Sequence, residues 1–403
     1  MSSALAPHIF LVAGEESGDR LGAALIAALR RATQGGARFS GVGGTHMAEE
    51  GMPSLYPLSD LSSFGFASLP GRLPTILRRI GDTADAAIAA KPNVVVIIDS
   101  PDFTHRVARR IRARNAAIPI VDYVCPTVWA WRPGRARVMR AYVDHVLALL
   151  PFEPEAMKRL HGPPCTFVGH PLGEQVVLLR PNADEARRRM ADPPLLLVLP
   201  GSRSGEIRRM AHIFGDAVAM VAERAGPLDI VVPAVPRLAD RVRTALASWR
   251  VPARIVTGTA EKQAAFRSAR AALTKSGTST LELALAGVPM AAAYKVPLIE
   301  ELVGRLLITA PSAILANLVL GENVVPEFLQ RDCTPENLAA ALLPLLTDTP
   351  QRRRQIEAFA RLDGLMAIGE GAPSDRAAAV VLDCTARFNQ PAREAMVSAR
   401  PTG

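Results

Sequence analysis

Residues 94–103, Val-Val-Val-Ile-Ile-Asp-Ser-Pro-Asp-Phe, decide the fold class. Val94 to Ile98 are all β-branched, with none of the polar alternation of a strand that has one wet face. Such a run predicts a strand buried on both sides, as in a parallel sheet covered by helices. An aspartate closes it and a proline follows. Comparable runs lie at 9–13, 118–124, 146–150, 166–168, 195–199, 230–232, 271–273 and 291–293. Helical patterns separate them. Leu73, Ile76, Leu77, Ile80, Ala84, Ala87 and Ile88 share one stripe at helical spacing, and Val107 and Ile111 sit among arginines. Alternation of this kind argues an α/β class. The series runs twice, so the expected architecture is two doubly wound Rossmann-like domains facing a cleft, with a helical C-terminal segment. The expected boundaries are a first domain over 1–172, a linker over 173–194 ending in Pro193-Pro194, and a second domain over 195–345. Helices over 346–387 are expected to return toward the first domain, with a loose tail over 388–403.

The chain has 403 residues, which at about 150 per domain is two or three domains. Hydrophobic residues at 49% and charged residues at 21% exclude a disordered chain. Lys plus Arg outnumber Asp plus Glu by 47 to 38, a net charge of +9 that favours anionic partners. Cys125, Cys165, Cys333 and Cys384 are scattered with no C-x-x-C pair. They predict reduced thiols in a cytosolic protein, without a zinc site or disulfide framework. The first apolar run has no Lys or Arg before it and ends in Gly-Glu-Glu, which predicts a strand rather than a signal peptide. No stretch approaches the roughly 20 apolar residues of a spanning helix, so membrane contact would be peripheral.

In open α/β sheets, ligands bind beyond the carboxyl ends of the strands. Four turns there stand out. Gly14-Glu15-Glu16-Ser17-Gly18-Asp19 is neither a dinucleotide fingerprint nor a Walker loop. Its acids would repel pyrophosphate and suit sugar hydroxyls, and Ser17 is placed to cap the following helix. Solvated acids on an ordinary turn explain it equally well. Asp99 ends a buried strand, where a carboxylate needs a partner or a cleft, and partial burial makes it a better base. Asp102 fits an N-cap, and two aspartates alone are a weak cation signal. Gly201-Ser202-Arg203 opens a helix with an arginine at its mouth, an anion site by geometry. Ser276-Gly277-Thr278 opens another, close to Lys275, with Glu282 in its first turn. Together these turns suggest a nucleoside diphosphate held by the second half and an acceptor entering from the first. His105 is expected at the surface and His170 in a structural hydrogen bond.

These segments resemble the lipid-A-disaccharide synthase family of GT-B glycosyltransferases. The similar stretches are VAGEESGD (12–19), GVGG (41–44), IDSPDF (98–103), CPTVWAWRPGR (125–135), LPFEPE (150–155), FVGHPL (167–172), LPGSRSGEI (199–207) and KSGTSTLELALAGVPM (275–290). They span about residues 8–385. The resemblance implies inverting transfer of 2,3-diacylglucosamine from UDP-2,3-diacylglucosamine to 2,3-diacylglucosamine 1-phosphate, giving a β-1,6 disaccharide 1-phosphate and UDP, with no cofactor and no metal. It implies Asp99 as general base, Glu15 as an acid for acceptor or sugar, and Arg203 with Gly201 and Ser202 on the diphosphate. Ser276, Gly277 and Thr278 would line the phosphates, Glu282 the ribose, and Asn317 the donor. Gly14, Ser17, Asp102 and Trp129 belong on the acceptor side. Cys125 departs from the family's serine.

Lipid substrates require an enzyme that meets a bilayer, here the anionic inner face of the inner membrane. Phe64, Phe66, Leu69, Arg72, Arg78 and Arg79 form a basic, apolar segment suited to that contact. A helix packed on its own sheet would explain its aliphatic residues but not the phenylalanines. The oligomeric state, a homodimer included, stays open. Two rivals remain: another GT-B enzyme of UDP-sugars, such as an N-acetylglucosaminyltransferase or a non-hydrolysing UDP-GlcNAc 2-epimerase, and a basic nucleic-acid-binding protein without catalysis. IDSPDF and CPTVWAW argue against the first. Aromatic residues at 5% and the lack of a nucleic-acid motif argue against the second.

Overall fold

The computed structural model describes residues 6–61, 69–174, 176–297 and 310–398. They form two compact units: residues up to 171 with those from 368 onward, and residues 172–367. Each unit is built on a parallel sheet of six strands.

The first sheet holds β1 (His8–Ala13), β2 (Arg38–Val42), β3 (Val94–Ile98), β4 (Ile120–Tyr123), β5 (His145–Ala148) and β6 (Cys165–Phe167), in the order β2-β1-β3-β4-β5-β6. All five residues of β3 are buried. Val95 and Ile97 pack with Phe10 and Val12 on one face, under Ile80, Ala84, Phe103 and Val107. Val94, Val96 and Ile98 pack with Ile9 and Leu11 on the other. Each such side chain contributes about 1.5–3 kcal/mol of burial. The strand order reverses between β1 and β3, and Ala13 lies level with Ile98. The turns after these two strands therefore emerge side by side, at the switch point where doubly wound sheets take ligands.

The second sheet holds β7 (Leu195–Leu199), β8 (Asp229–Pro233), β9 (Arg254–Val256), β10 (Ala271–Lys275), β11 (Met290–Tyr294) and β12 (Glu327–Leu329), in the order β12-β11-β10-β7-β8-β9. Its switch lies between β7 and β10, where Leu199 pairs with Thr274.

Several expectations change. The segment 173–194 is no free linker. Arg267 bonds Glu185 at 2.8 Å, Arg188 bonds Asp229 at 2.8 Å, and Arg189 donates to the carbonyls of Phe266, Arg267, Ala286 and Gly287. A guanidinium at two helix C-termini is favourably placed against both dipoles, and it anchors this segment to the second unit. The helix Pro350–Met366 also stays with the second unit, where Gln355 satisfies both backbone groups of Met290. The chain returns to the first unit with the helix Pro373–Ser398, which puts Ala377, Ala378, Val381 and Cys384 against Leu25, Ile26 and Leu29. That helix continues to Ser398, so residues 388–398 are not a loose tail. In the helix Leu69–Ala90, Leu73 and Leu77 are 45% and 48% exposed, so the stripe enters the core with Ile80, Ala84 and Ala87, and Ile76 and Ile88 pack partly buried against it.

Candidate active site

The turns after β1 and β3 touch. A Cβ on Gly14 would lie 2.6 Å from Ser100 Cβ, so this approach admits only glycine. Ser17, expected as a cap, instead sits inside the helix Glu16–Ala32, and its hydroxyl donates to Asp99 Oδ2 at 2.7 Å. Asp99 and Ser100 have φ of 53° and 45°. Left-handed backbone at a residue other than glycine costs about 1–3 kcal/mol and clusters where function requires it. Asp99 Oδ1 accepts the Ser100 amide at 2.8 Å, while the Asp99 carbonyl accepts the Thr104 hydroxyl at 2.7 Å. The result is a half-buried carboxylate held at a strand end, with Ser17 and Glu15 exposed beside it.

Asp102 is not the N-cap of the helix Pro101–Arg114. Ser100 holds that position, and Asp102 lies exposed in the first turn. The acid that does cap a helix here is one the sequence did not single out. Buried Asp19 accepts the amides of Gly44, His46 and Met47 at 2.6, 3.0 and 3.1 Å, which ties the GVGG turn to the first helix.

His105 is not a surface residue. It is 3% exposed, with Nε2 3.1 Å from Asp122 Oδ2 and Nδ1 3.0 Å from the Tyr142 hydroxyl. Burial pushes the Asp122 carboxyl above its ordinary range. The lone aspartate in the apolar run 118–124 was the signal, since a buried carboxylate must find a partner. His170 is held neutral, its imidazole pushed down to about 4 by burial. Trp129 is partly buried, edge-on to Phe152 at 4.9 Å, and its indole N–H donates to Glu153 Oε1 at 3.1 Å. Burial drives that carboxyl up to about 7, against the bonds from Leu150 N–H and Trp129.

In the second unit the amide-rich turn after β7 already carries an anion. Glu206 Oε2 accepts the amides of Ser202 and Arg203 at 3.0 and 3.2 Å, and Oε1 lies 3.2 Å from both Arg203 Nη1 and Lys275 Nζ. Burial pushes the Glu206 carboxyl upward, but Lys275, the Ser202 amide and Arg203 hold it below the usual range. A Cβ on Gly201 would meet Glu206 Cβ at 2.5 Å, which explains this glycine at φ 131°. The Ser202 amide is therefore spent inside the protein. Arg203 keeps a side chain 74% exposed at the mouth of the helix Ser204–Ala225. The signal was a glutamate three residues after the turn, a capping pattern.

Ser276 and Asn317 are committed as well. The Ser276 hydroxyl, buried, donates to Glu327 Oε1 at 3.4 Å, and Glu327 also accepts from Ser312 and Ala313. Asn317, 3% exposed, donates to Ser312 Oγ and Val325 O and accepts the Val324 and Val325 amides. Its amide has no capacity left for a ligand. Gly277, at φ 157°, precedes the helix Thr278–Leu285, where Thr278 is exposed. Glu282 pairs with Lys262 at 2.9 Å.

Arg79 pairs with Asp60 at 2.6 Å and lies over the Tyr56 ring, so it is bound into the first unit, whereas Arg78 is exposed beside Leu77. Phe64 and Phe66 lie outside the described residues, as do the side chains of Leu69 and Arg72. Among the described residues no three His, Cys, Asp or Glu side chains are placed to hold a metal ion, and no helix is long and apolar enough to cross a membrane.

A family model described as lipid-A-disaccharide synthetase matches residues 9–369. The lipid-A-disaccharide synthase of Nitrobacter hamburgensis is 62% identical over 376 residues, covering 93% of this chain and 95% of that protein. The protein of the same name from Bradyrhizobium diazoefficiens is 59% identical over 374 residues, again covering 93% and 95%. Among solved structures, a UDP-GlcNAc 2-epimerase from Neisseria meningitidis bound to UDP-GlcNAc matches with a TM-score of 0.62 at 13% identity, over 94% of this chain and 100% of that one. MurG of Acinetobacter baumannii matches with a TM-score of 0.58 at 14% identity, over 94% and 99%. These structures share the GT-B fold.

Proposed function

The chain belongs to the lipid-A-disaccharide synthase family, a family of glycosyltransferases, and we propose that it transfers 2,3-diacylglucosamine from UDP-2,3-diacylglucosamine to the 6-hydroxyl of 2,3-diacylglucosamine 1-phosphate. The observation that carries the mechanism is the Asp99 carboxylate, held in left-handed backbone beside the β1 turn and hydrogen-bonded to an exposed Ser17 hydroxyl.

As the acceptor O6 bonds to the anomeric carbon, its proton passes to Asp99. The bond from that carbon to the β-phosphate oxygen breaks on the opposite face, and its electron pair leaves with UDP. The configuration inverts and no sugar–enzyme bond forms. A placed general base contributes about 10²–10⁴-fold. Ser17 orients the carboxylate, and Glu15 and Trp129 face the acceptor sugar. Arg203 meets the charge that develops on the leaving diphosphate, with Gly277 and Thr278 at a second helix start and Glu282 toward the ribose. Charge stabilisation by one such donor is worth about 10²–10³-fold. Ser202 and Ser276 act one step back, shaping these turns through the bonds described above, while Asn317 holds the backbone at Val324 and Val325.

Both substrates are lipids, so the enzyme works at the cytoplasmic face of the inner membrane as a peripheral protein. Exposed Leu73, Leu77 and Arg78 support contact with anionic lipid there. UDP release measured with the diacylated donor and acceptor tests the reading. Turnover that requires both acylated substrates is expected, while equal turnover of unacylated UDP-GlcNAc would assign a different UDP-sugar reaction.

A further inference from the structure

We propose that a cavity of about 310 Å³ in the first unit, bounded by Arg106, Arg109, Arg132 and Arg135, is the subsite for the phosphomonoester of the sugar acceptor. The proposal rests on the transfer reading above and locates one end of its acceptor.

Four arginines from two separate stretches of chain line this cavity. Arg106 and Arg109 lie one turn apart on the helix Pro101–Arg114, Arg132 lies two residues before the helix Gly134–Met139, and Arg135 lies in its first turn. Bringing like charges together is unfavourable unless something neutralises them. On the same helix, Arg112 pairs with Asp144 and Arg114 with Asp85. No carboxylate among the described residues forms an ion pair with any of the four that line the cavity. Asp102 is also in the lining, which leaves it strongly positive.

The site is held in place before any ligand arrives. Arg109 donates to the Tyr142 hydroxyl at 3.3 Å and lies over its ring at 4.8 Å. Tyr142 is fixed in turn by buried His105, and His105 by buried Asp122. This buried chain of three polar groups ends on an arginine of the cavity wall. Arg132, also in the lining, has φ of 54° and stacks over Trp131 at 4.5 Å. A compact, multiply charged anion fits these walls. A phosphomonoester carries about two charges near pH 7 and accepts paired bonds from arginine. The cavity also reaches Pro101, two residues beyond Asp99, so a phosphate here holds its sugar at the same strand end as the base.

The test is Arg106→Gln with Arg135→Gln in the full chain, with Arg106→Lys and Arg135→Lys as the charge-retaining control. KM for the 1-phosphate acceptor should rise ~10–100-fold in the glutamine variant, less in the lysine variant, with donor KM unchanged. On acceptor without its phosphate, variant and wild type should perform alike. An equal loss on both acceptors, or a raised donor KM, overturns the proposal. Soluble glucosamine 1-phosphate, titrated calorimetrically without donor, should bind the wild type and not the glutamine variant. Equal binding to both, or binding to neither, overturns it whether or not UDP is released. Binding that follows this pattern in a wild type that releases no UDP upholds the subsite and removes the transfer reading. Affinity for phosphatidylglycerol vesicles should stay unchanged, and its loss with acceptor KM intact would make the cavity a membrane headgroup site instead.

Discussion

The Ser17 hydroxyl donates to Asp99 Oδ2 at 2.7 Å, joining the start of the first helix to the end of β3 across 82 positions of the chain. The register that sets Ala13 level with Ile98 makes the bond available, and the left-handed backbone at Asp99 completes it. Ser17→Ala should lower kcat about tenfold, since a base left free to turn loses part of the ~10²–10⁴-fold that a placed one contributes. Ser17 is exposed, so the unfolding midpoint should not move. Steady-state kinetics with both acylated substrates check this, and an unchanged kcat would detach Ser17 from the base.

Asn317 makes a contrasting prediction. Its buried amide holds the Val324 and Val325 backbone, so Asn317→Ala leaves buried partners unpaired, at about 1–3 kcal/mol for each group. Urea unfolding should show a loss of about 2–4 kcal/mol, with donor KM nearly unchanged. Intact stability with a raised donor KM would return Asn317 to the donor site.

Glu153 links stability to pH. Burial lifts its folded carboxyl to about 7, from an ordinary value of 4.5. Between those values the folded chain binds more protons than the unfolded one, so this contribution is complete below about 4.5 and declines as pH rises to about 7. The decline amounts to about 2–4 kcal/mol, and Glu153→Gln should remove it. Unfolding at about pH 4.5 and about pH 8 compares the two slopes, and parallel profiles would contradict the assignment.

Leu73 and Leu77 offer the clearest apolar exposure next to Arg78. Replacing both with serine should weaken binding to anionic vesicles about tenfold or more, since a buried leucine contributes about 1.5–3 kcal/mol. The unfolding midpoint should hold, because neither side chain is core. Sedimentation with vesicles gives the readout, and unchanged binding would place membrane contact elsewhere.

The interior strands were legible because burial on both faces leaves continuous apolar runs such as VVVII and LLLVL. Three edge strands, β2, β9 and β12, were not. Arg38–Val42, Arg254–Val256 and Glu327–Leu329 are short and carry polar or charged residues, as edges do when one side of the ladder is unpaired. Turns at both switch points were also readable, because ligand sites follow strand ends. Which groups in those turns remain available was not readable from local sequence. Glu206 consumes the amides of Ser202 and Arg203, and Glu327 consumes the Ser276 hydroxyl across 51 positions. His105 looked superficial because arginines surround it in sequence, yet its ring lies on the buried face of that helix against β4 and Tyr142. Partners distant in sequence decide these cases.

The central claim is that Asp99 takes the proton from the acceptor alcohol. Asparagine tolerates left-handed backbone about as well as aspartate does, so Asp99→Asn should fold with an unchanged unfolding midpoint. UDP release from the diacylated donor and acceptor should then fall at least ~10²-fold. A folded Asp99→Asn variant that releases UDP within a few-fold of the wild-type rate would contradict the account.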